Sequence, residues 1–209
     1  MEIHNYFIVN LVSHTFARKI YNIWHVLMKE FNLGSANASI LPYKEMYPSI
    51  HESVLICDGV RIIGDVSIGE HSSMWYNAIA RGDVFPISIG KRTNVQDGAI
   101  LHVTTDTYAL HIGDDVTIGH GAIVHGATIG NRCLIGMGAI ILDNAIIEDE
   151  AIVAAGAVVR QGMRVPSGFM VAGIPAKIIR EITPEERKGF IESAHHYCEV
   201  AEEYLKFYR

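Results

Sequence analysis

Between Ile129 and Val159 an aliphatic residue returns at every sixth position: Ile129, Ile135, Ile141, Ile147, Val153 and Val159. Four places after each of the first five comes a small residue, Cys133, Ala139, Ala145, Ala151 and Ala157. The same pattern runs earlier through Ile112, Ile118 and Val124, through Ile89, Val95 and Leu101, and through Ile68, Met74 and Ala80. A six-residue period matches neither the 3.6 of an amphipathic helix nor the alternation of a half-buried strand. It matches short strands joined by corners, with one large and one small side chain turned inward per hexapeptide. Three such strands make a triangular coil, and stacked coils bury a continuous aliphatic column. Glycine often follows the aliphatic residue, as at Gly64, Gly69, Gly90, Gly113, Gly119, Gly130 and Gly136. These read as corners that need permissive φ.

Both flanks differ. Phe7, Ile8, Leu11, Phe16, Ile20, Ile23, Trp24, Leu27 and Phe31 recur at helical intervals, and Gly34 suits a helix stop. Arg18 and Lys19 interrupt that segment, so it reads as an amphipathic helix and not as a membrane span or secretory signal. Thr183-Pro184-Glu185-Glu186 reads as an N-cap, a first-turn proline and a capping-box glutamate. Ile191, Ala194, Cys198, Ala201, Leu205 and Tyr208 then mark the apolar face of a closing helix. The expected organisation is an N-terminal amphipathic helix over 1–34, a linker over 35–50, a solenoid over 51–180 and a C-terminal helix over 181–209.

Hydrophobic residues make up 49% of the 209 positions and charged ones 19%, which excludes general disorder and suggests surface buried between subunits. A net charge of −6 argues against a nucleic-acid binder. Cys57, Cys133 and Cys198 are odd in number, far apart and without CxxC spacing. They fit a reducing, cytoplasmic setting and no cysteine zinc site.

The repeat also places polar residues. Counted in threes, Ile63, Ala80, Leu101, Val124 and Ile141 share one face, provided that a short unit at Ile63, a longer one near Phe85-Pro86-Ile87 and a loop from Val103 to His111 interrupt the count. The residues that follow, Gly64, Arg81, His102, His125 and Leu142, then point outward in a ladder. Neighbouring coils lie about 4.7–4.9 Å apart, so His102 and His125 stack closely enough to share a metal. Asp97 and His120 hold equivalent places in the units that begin at Val95 and Ile118, on a different face. His120 would therefore meet the other two only across a subunit interface, as in a cyclic trimer. Trp75 and Tyr76, also on that face, read as interface packing, Cys133 as core, and His195 and His196 as a solvated or interface edge.

Arg81-Gly82-Asp83, then NVQDGAILH (94–102), then GHGAIVHG (119–126) resemble the gamma-class carbonic anhydrases and their gamma-carbonic-anhydrase-like relatives. The resemblance spans about Leu55 to Lys177, and GIPAK (173–177) is a closing motif shared with hexapeptide acyltransferases. It implies a left-handed parallel β-helix, a homotrimer, and a metal ion at each interface held by His102 and His125 of one chain and His120 of the next. Zinc is the usual ion, with iron or cobalt as alternatives. Arg81 and Asp83 match a salt-bridge pair, Gln96 a residue that orients solvent or bicarbonate, and Asn94 and Asp97 residues lining the site. The implied chemistry is reversible CO2 hydration by a metal-bound hydroxide, since three imidazoles on zinc bring bound water to a pKa near 7 in carbonic anhydrase itself.

Two features depart from the best-studied pattern. Val84 stands where that pattern has a glutamate, and the segment Val103–Tyr108 replaces a long acidic loop, leaving Asp106 as a substitute proton carrier. Three functional classes stay open: a zinc hydro-lyase acting on CO2, an acyltransferase or thioesterase acting on a CoA derivative, and a non-catalytic trimeric assembly module. An acyltransferase would use one histidine as general base and would not need three.

Overall fold

The computed structural model describes residues 37–207; the expected N-terminal helix lies outside them. In chain order the first strands are β1 (Ser39–Leu41), β2 (Ser49–Ile50), β3 (Leu55–Ile56), β4 (Arg61–Ile68), β5 (Ser73–Met74), β6 (Ile79–Ile89) and β7 (Asn94–Val95). Then come β8 (Ile100–His102), β9 (Leu110–Ile112), β10 (Thr117–Ile118), β11 (Ile123–His125), β12 (Thr128–Ile129), β13 (Leu134–Ile135) and β14 (Ile140–Ile141). The last are β15 (Ile146–Ile147), β16 (Ile152–Val153), β17 (Val158–Val159), β18 (Arg164–Val165), β19 (Phe169–Ala172) and β20 (Lys177–Glu181), followed by helix α1 (Pro184–Phe207).

These strands wind into a parallel β-helix of about seven coils. One face is an eight-stranded sheet, β20-β19-β16-β13-β10-β7-β5-β3. The other two faces are joined into a single twelve-stranded sheet because β4 and β6 run unbroken around a corner. The first half of β6 continues into β8, β11, β14 and β17, and its second half into β9, β12, β15 and β18. Inside, the large and small hexapeptide positions alternate as the period requires. Ile129, Ile135, Ile141 and Ile147 are at most 2% exposed, and Cys133 and the alanines at 139, 145, 151 and 157 at most 1%. Burial pushes the Cys133 thiol up to about 12, so this cysteine is a packing residue.

The structure corrects several expectations. Ala80, Leu101, Val124 and Ile141 are register partners, but the residue below Ala80 is Ile62, fully buried, and not Ile63. The strict period of Ile56, Ile62, Ile68, Met74 and Ala80 therefore holds without a short unit. The outward ladder begins at Ile63, which pairs with Arg81. The longer unit is real: between Gly64/Gly82 and Val66/Ile87 the register of β4 and β6 shifts.

The segment 35–50, expected as a linker, contains β1 and β2, and both pair in parallel with β4. The solenoid thus starts earlier than the hexapeptide signature. The glycine reading holds at Gly64, with φ of +76°, and changes at the others. Gly113 does not have a left-handed φ; a Cβ there would lie 2.8 Å from the Gly130 carbonyl in the next coil. Close coil stacking, and not φ, excludes a side chain.

Helix α1 begins with the expected capping box: the Thr183 hydroxyl accepts from Glu186 N (3.2 Å) and the Glu186 carboxylate accepts from Thr183 N (2.9 Å). Its buried residues are Phe190, Ala194 and Ala201, whereas Ile191 is 46% exposed. The helix lies on the eight-stranded face. Trp75 there packs edge-on against Tyr197 and Tyr204, with ring centroids 5.7 and 5.2 Å away. Trp75 and Tyr76, expected as interface packing, pack on the chain's own helix. His195 and His196 are exposed. Among the described residues no helix is long and apolar enough to cross a membrane.

Candidate metal centre

The expected site residues fall into two clusters on two faces of the same chain. The first lies on the twelve-stranded sheet. His102 and His125 are direct register partners in adjacent coils, with ring centroids 5.0 Å apart. His102 Nδ1 and His125 Nε2 face each other at 3.0 Å. The remaining ring nitrogens meet carboxylates: His102 Nε2 lies 3.3 Å from Asp83 Oδ1, and His125 Nδ1 lies 2.7 Å from Asp143 Oδ1. Arg81 Nη1 donates to Asp83 Oδ2 at 2.7 Å. Burial alone would raise Asp83, but the hydrogen bonds from Arg81 and His102 prevail and hold it below the usual carboxylate range. Burial and the Arg81 charge lower the pKa of His102, favouring a neutral imidazole.

The second cluster lies on the eight-stranded sheet, where Val95 and Ile118 are register partners. His120 is exposed, and its Nδ1 sits 2.7 Å from Asp97 Oδ2. Gln96 is buried, with both ends of its amide engaged. Its Nε2 donates to Asn94 Oδ1 (3.1 Å) and to Tyr197 OH (2.7 Å), while its Oε1 accepts from His120 N (3.2 Å). Asn94 in turn donates to Thr117 Oγ1 at 2.9 Å. Burial and the nearby Asp97 push the Tyr197 phenol up, so it stays protonated.

Among the described residues, no group of three or more His, Cys, Asp or Glu side chains of one chain gathers at metal-binding distance. The donors nonetheless have the chemistry that suits a divalent ion: two stacked imidazoles, each with a carboxylate on its far ring nitrogen. A carboxylate on one ring nitrogen fixes the proton there and leaves the other nitrogen as a lone pair, the usual outer-shell arrangement of metal-ligating histidine. His102 Nδ1 and His125 Nε2 lie 3.0 Å apart, the distance of an N–H···N hydrogen bond, and with the outer protons held by the carboxylates the same two nitrogens can turn lone pairs to one cation. Tetrahedral bonds of 2.0–2.1 Å would set the two nitrogens about 3.3 Å apart, a small adjustment. His120, with Nδ1 held by Asp97, has its Nε2 at an exposed surface.

A model described as bacterial transferase hexapeptide (six repeats) matches residues 110–141 and 126–161. Protein YrdA of Escherichia coli is 48% identical over 170 residues, 78% of this chain and 92% of the relative. A carbonic anhydrase of Geobacillus kaustophilus is 46% identical over 165 residues, 76% of this chain and 90% of the relative. The chain belongs to the gamma-carbonic-anhydrase-like hexapeptide-repeat family. Within this family's fold, the crystal structure of a candidate acetyltransferase from Bacillus cereus superposes with a TM-score of 0.80 at 46% identity, covering 82% of this chain and 99% of that one.

Against that family pattern, three site residues escaped the sequence reading: Asp143, Thr104 and Tyr197. Two places past each inward aliphatic residue come Val103, Gly126 and Asp143 in successive coils. The usable signal was a glycine beneath an aspartate beside His125. A Cβ at Gly126 would lie 2.3 Å from Asp143 Oδ1, so the glycine admits the carboxylate. Tyr197 sits on the sheet-facing side of α1, where the periodicity of apolar residues drew attention to Cys198 instead. Val84 packs against the core, and Asp106 is exposed in the turn between β8 and β9.

Proposed function

We propose that this protein is a trimeric, metal-dependent enzyme of the gamma-carbonic-anhydrase type that interconverts CO2 and bicarbonate. In this reading His102 and His125 of one subunit and His120 of the next hold a divalent ion, zinc first, with iron or cobalt as alternatives. The observation that carries it is the pair of imidazole nitrogens facing each other at 3.0 Å while Asp83 and Asp143 occupy the opposite ring nitrogens. When bound, such an ion supplies a Lewis acid that brings the acidity of water into the neutral range.

The chain's own residues do the rest. Asp83 and Asp143 hold protons at His102 Nε2 and His125 Nδ1, which fixes both tautomers and ring planes. Arg81 balances the charge of Asp83 and keeps it ionised. Asp97 does for His120 what Asp143 does for His125. Gln96, clamped between Asn94 and Tyr197 with both Nε2 hydrogens taken, holds the His120 backbone through its Oε1 and so positions that ligand.

The transferase description of the matching family model and the acetyltransferase likeness favour a second reading, acyl transfer with one histidine as base. Stopped-flow CO2 hydration by zinc-loaded protein separates the two. The proposal expects a rate that rises in proportion to metal occupancy. Hydration equal to the buffer background at full occupancy, with thiol release from acetyl-CoA, would replace it with the second reading.

A further inference from the structure

We propose that Asp143, anchored by Thr104 and admitted by Gly126, is the positioning residue that decides which ring nitrogen of His125 is free for a divalent cation. The inference rests on the metal-centre reading above and extends it to Asp143 and Thr104, which lie outside the recognised motifs. Asp143 Oδ1 lies 2.7 Å from His125 Nδ1, and Thr104 Oγ1 donates to the same oxygen at 3.0 Å. A carboxylate accepts only, so His125 must carry its proton on Nδ1 and turn the Nε2 lone pair toward His102.

The arrangement depends on three successive coils. Gly126 lies directly below Asp143, and any side chain there would meet the Oδ1 atom that His125 uses. Thr104 opens the short segment that stands in place of an acidic loop, and that segment is closed by a backbone bridge between Thr104 and Tyr108. A Cβ at Gly126 would also come within 2.8 Å of Tyr108 Cβ, so the loop packs down on the same point. The short loop therefore contributes to the site by anchoring Asp143, and through it the tautomer of His125.

The test is Co2+ titration of the metal-stripped, full-length protein, reading the visible absorption band and the dissociation constant, with thermal melts of each metal-free variant. In Asp143→Asn the amide NH2 can donate to His125 Nδ1 and drive the proton to Nε2, the nitrogen needed for the ion. The expected result is a loss of Co2+ affinity of about 10–100-fold and an altered visible band, with the metal-free melt close to that of the wild type. Thr104→Val should move affinity in the same direction by a smaller factor, and it decides the matter if Asp143→Asn does not fold. Unchanged affinity and spectrum in both variants, or a lowered metal-free melt with an unchanged spectrum, would overturn the inference alone. Failure of the wild type itself to take up Co2+ would remove the metal-centre reading together with it.

Discussion

Replacing Gly82 with alanine is expected to lower stability by about 3 kcal/mol and to detach Asp83 from His102. Gly82 sits between Arg81 and Asp83, where β4 and β6 change register. A Cβ there would lie 2.3 Å from the Asp65 carbonyl oxygen and 3.2 Å from that of Phe85. Both are backbone atoms, so no rotamer change relieves the overlap, and a coil packed at crystal-like density cannot yield cheaply. The flanking side chains would move with the strand, which breaks the 2.7 Å Arg81–Asp83 bond and the 3.3 Å Asp83–His102 contact together. For a chain of this size the loss corresponds to a melting temperature lower by roughly 6–12 °C. Gly138→Ala is the matched control: its Cβ would meet nothing within 4 Å, and only its φ of +66° is strained, a cost of about 1–2 kcal/mol. Equal melting of Gly82→Ala and wild type in a circular-dichroism scan would contradict the role given to this register shift.

His120→Ala is expected to leave the fold intact and to abolish metal uptake. The His120 side chain is 49% exposed, so truncation opens no cavity, and surface changes of this kind stay within about 0.5 kcal/mol. The Gln96 bond to residue 120 runs to the backbone and survives the change. The metal would be left with two protein donors, His102 and His125. Elemental analysis of the variant beside the wild type reads the effect: metal near one per chain in the wild type and none in the variant. Metal retained by His120→Ala would assign the site to other residues.

How much of this was legible in the sequence follows from what periodicity encodes. A six-residue aliphatic repeat reports which side chains face the column, so the pairing of Leu101 with Val124, and with it the stacking of His102 on His125, could be counted off the chain. The same count placed Asp97 beside His120. It failed at Arg61-Ile62-Ile63-Gly64, where two adjacent isoleucines are equal in hydrophobicity and only the spacing from Ile56 and Ile68 distinguishes them. It failed again over 35–50, because β1 and β2 pair with only β4 and carry no hexapeptide signature. Asp143, Thr104 and Tyr197 act through side-chain contacts between elements distant in sequence, which a hydrophobic pattern does not record. The helix face was read one residue out at Phe190 and Ile191, where neighbouring apolar residues again compete for one buried place.

The central claim is that each centre takes two histidines from one subunit and one from its neighbour, and mixed trimers test it most directly. Chains carrying His120→Ala keep the His102–His125 pair, and chains carrying His102→Ala keep His120. In a cyclic trimer of both kinds, only an interface that joins the intact pair to an intact His120 is complete. Refolding the two variants together should therefore restore about one metal per mixed trimer, while each variant alone binds none. Metal absent from mixed trimers of verified composition, or present in either variant alone, would contradict the shared centre.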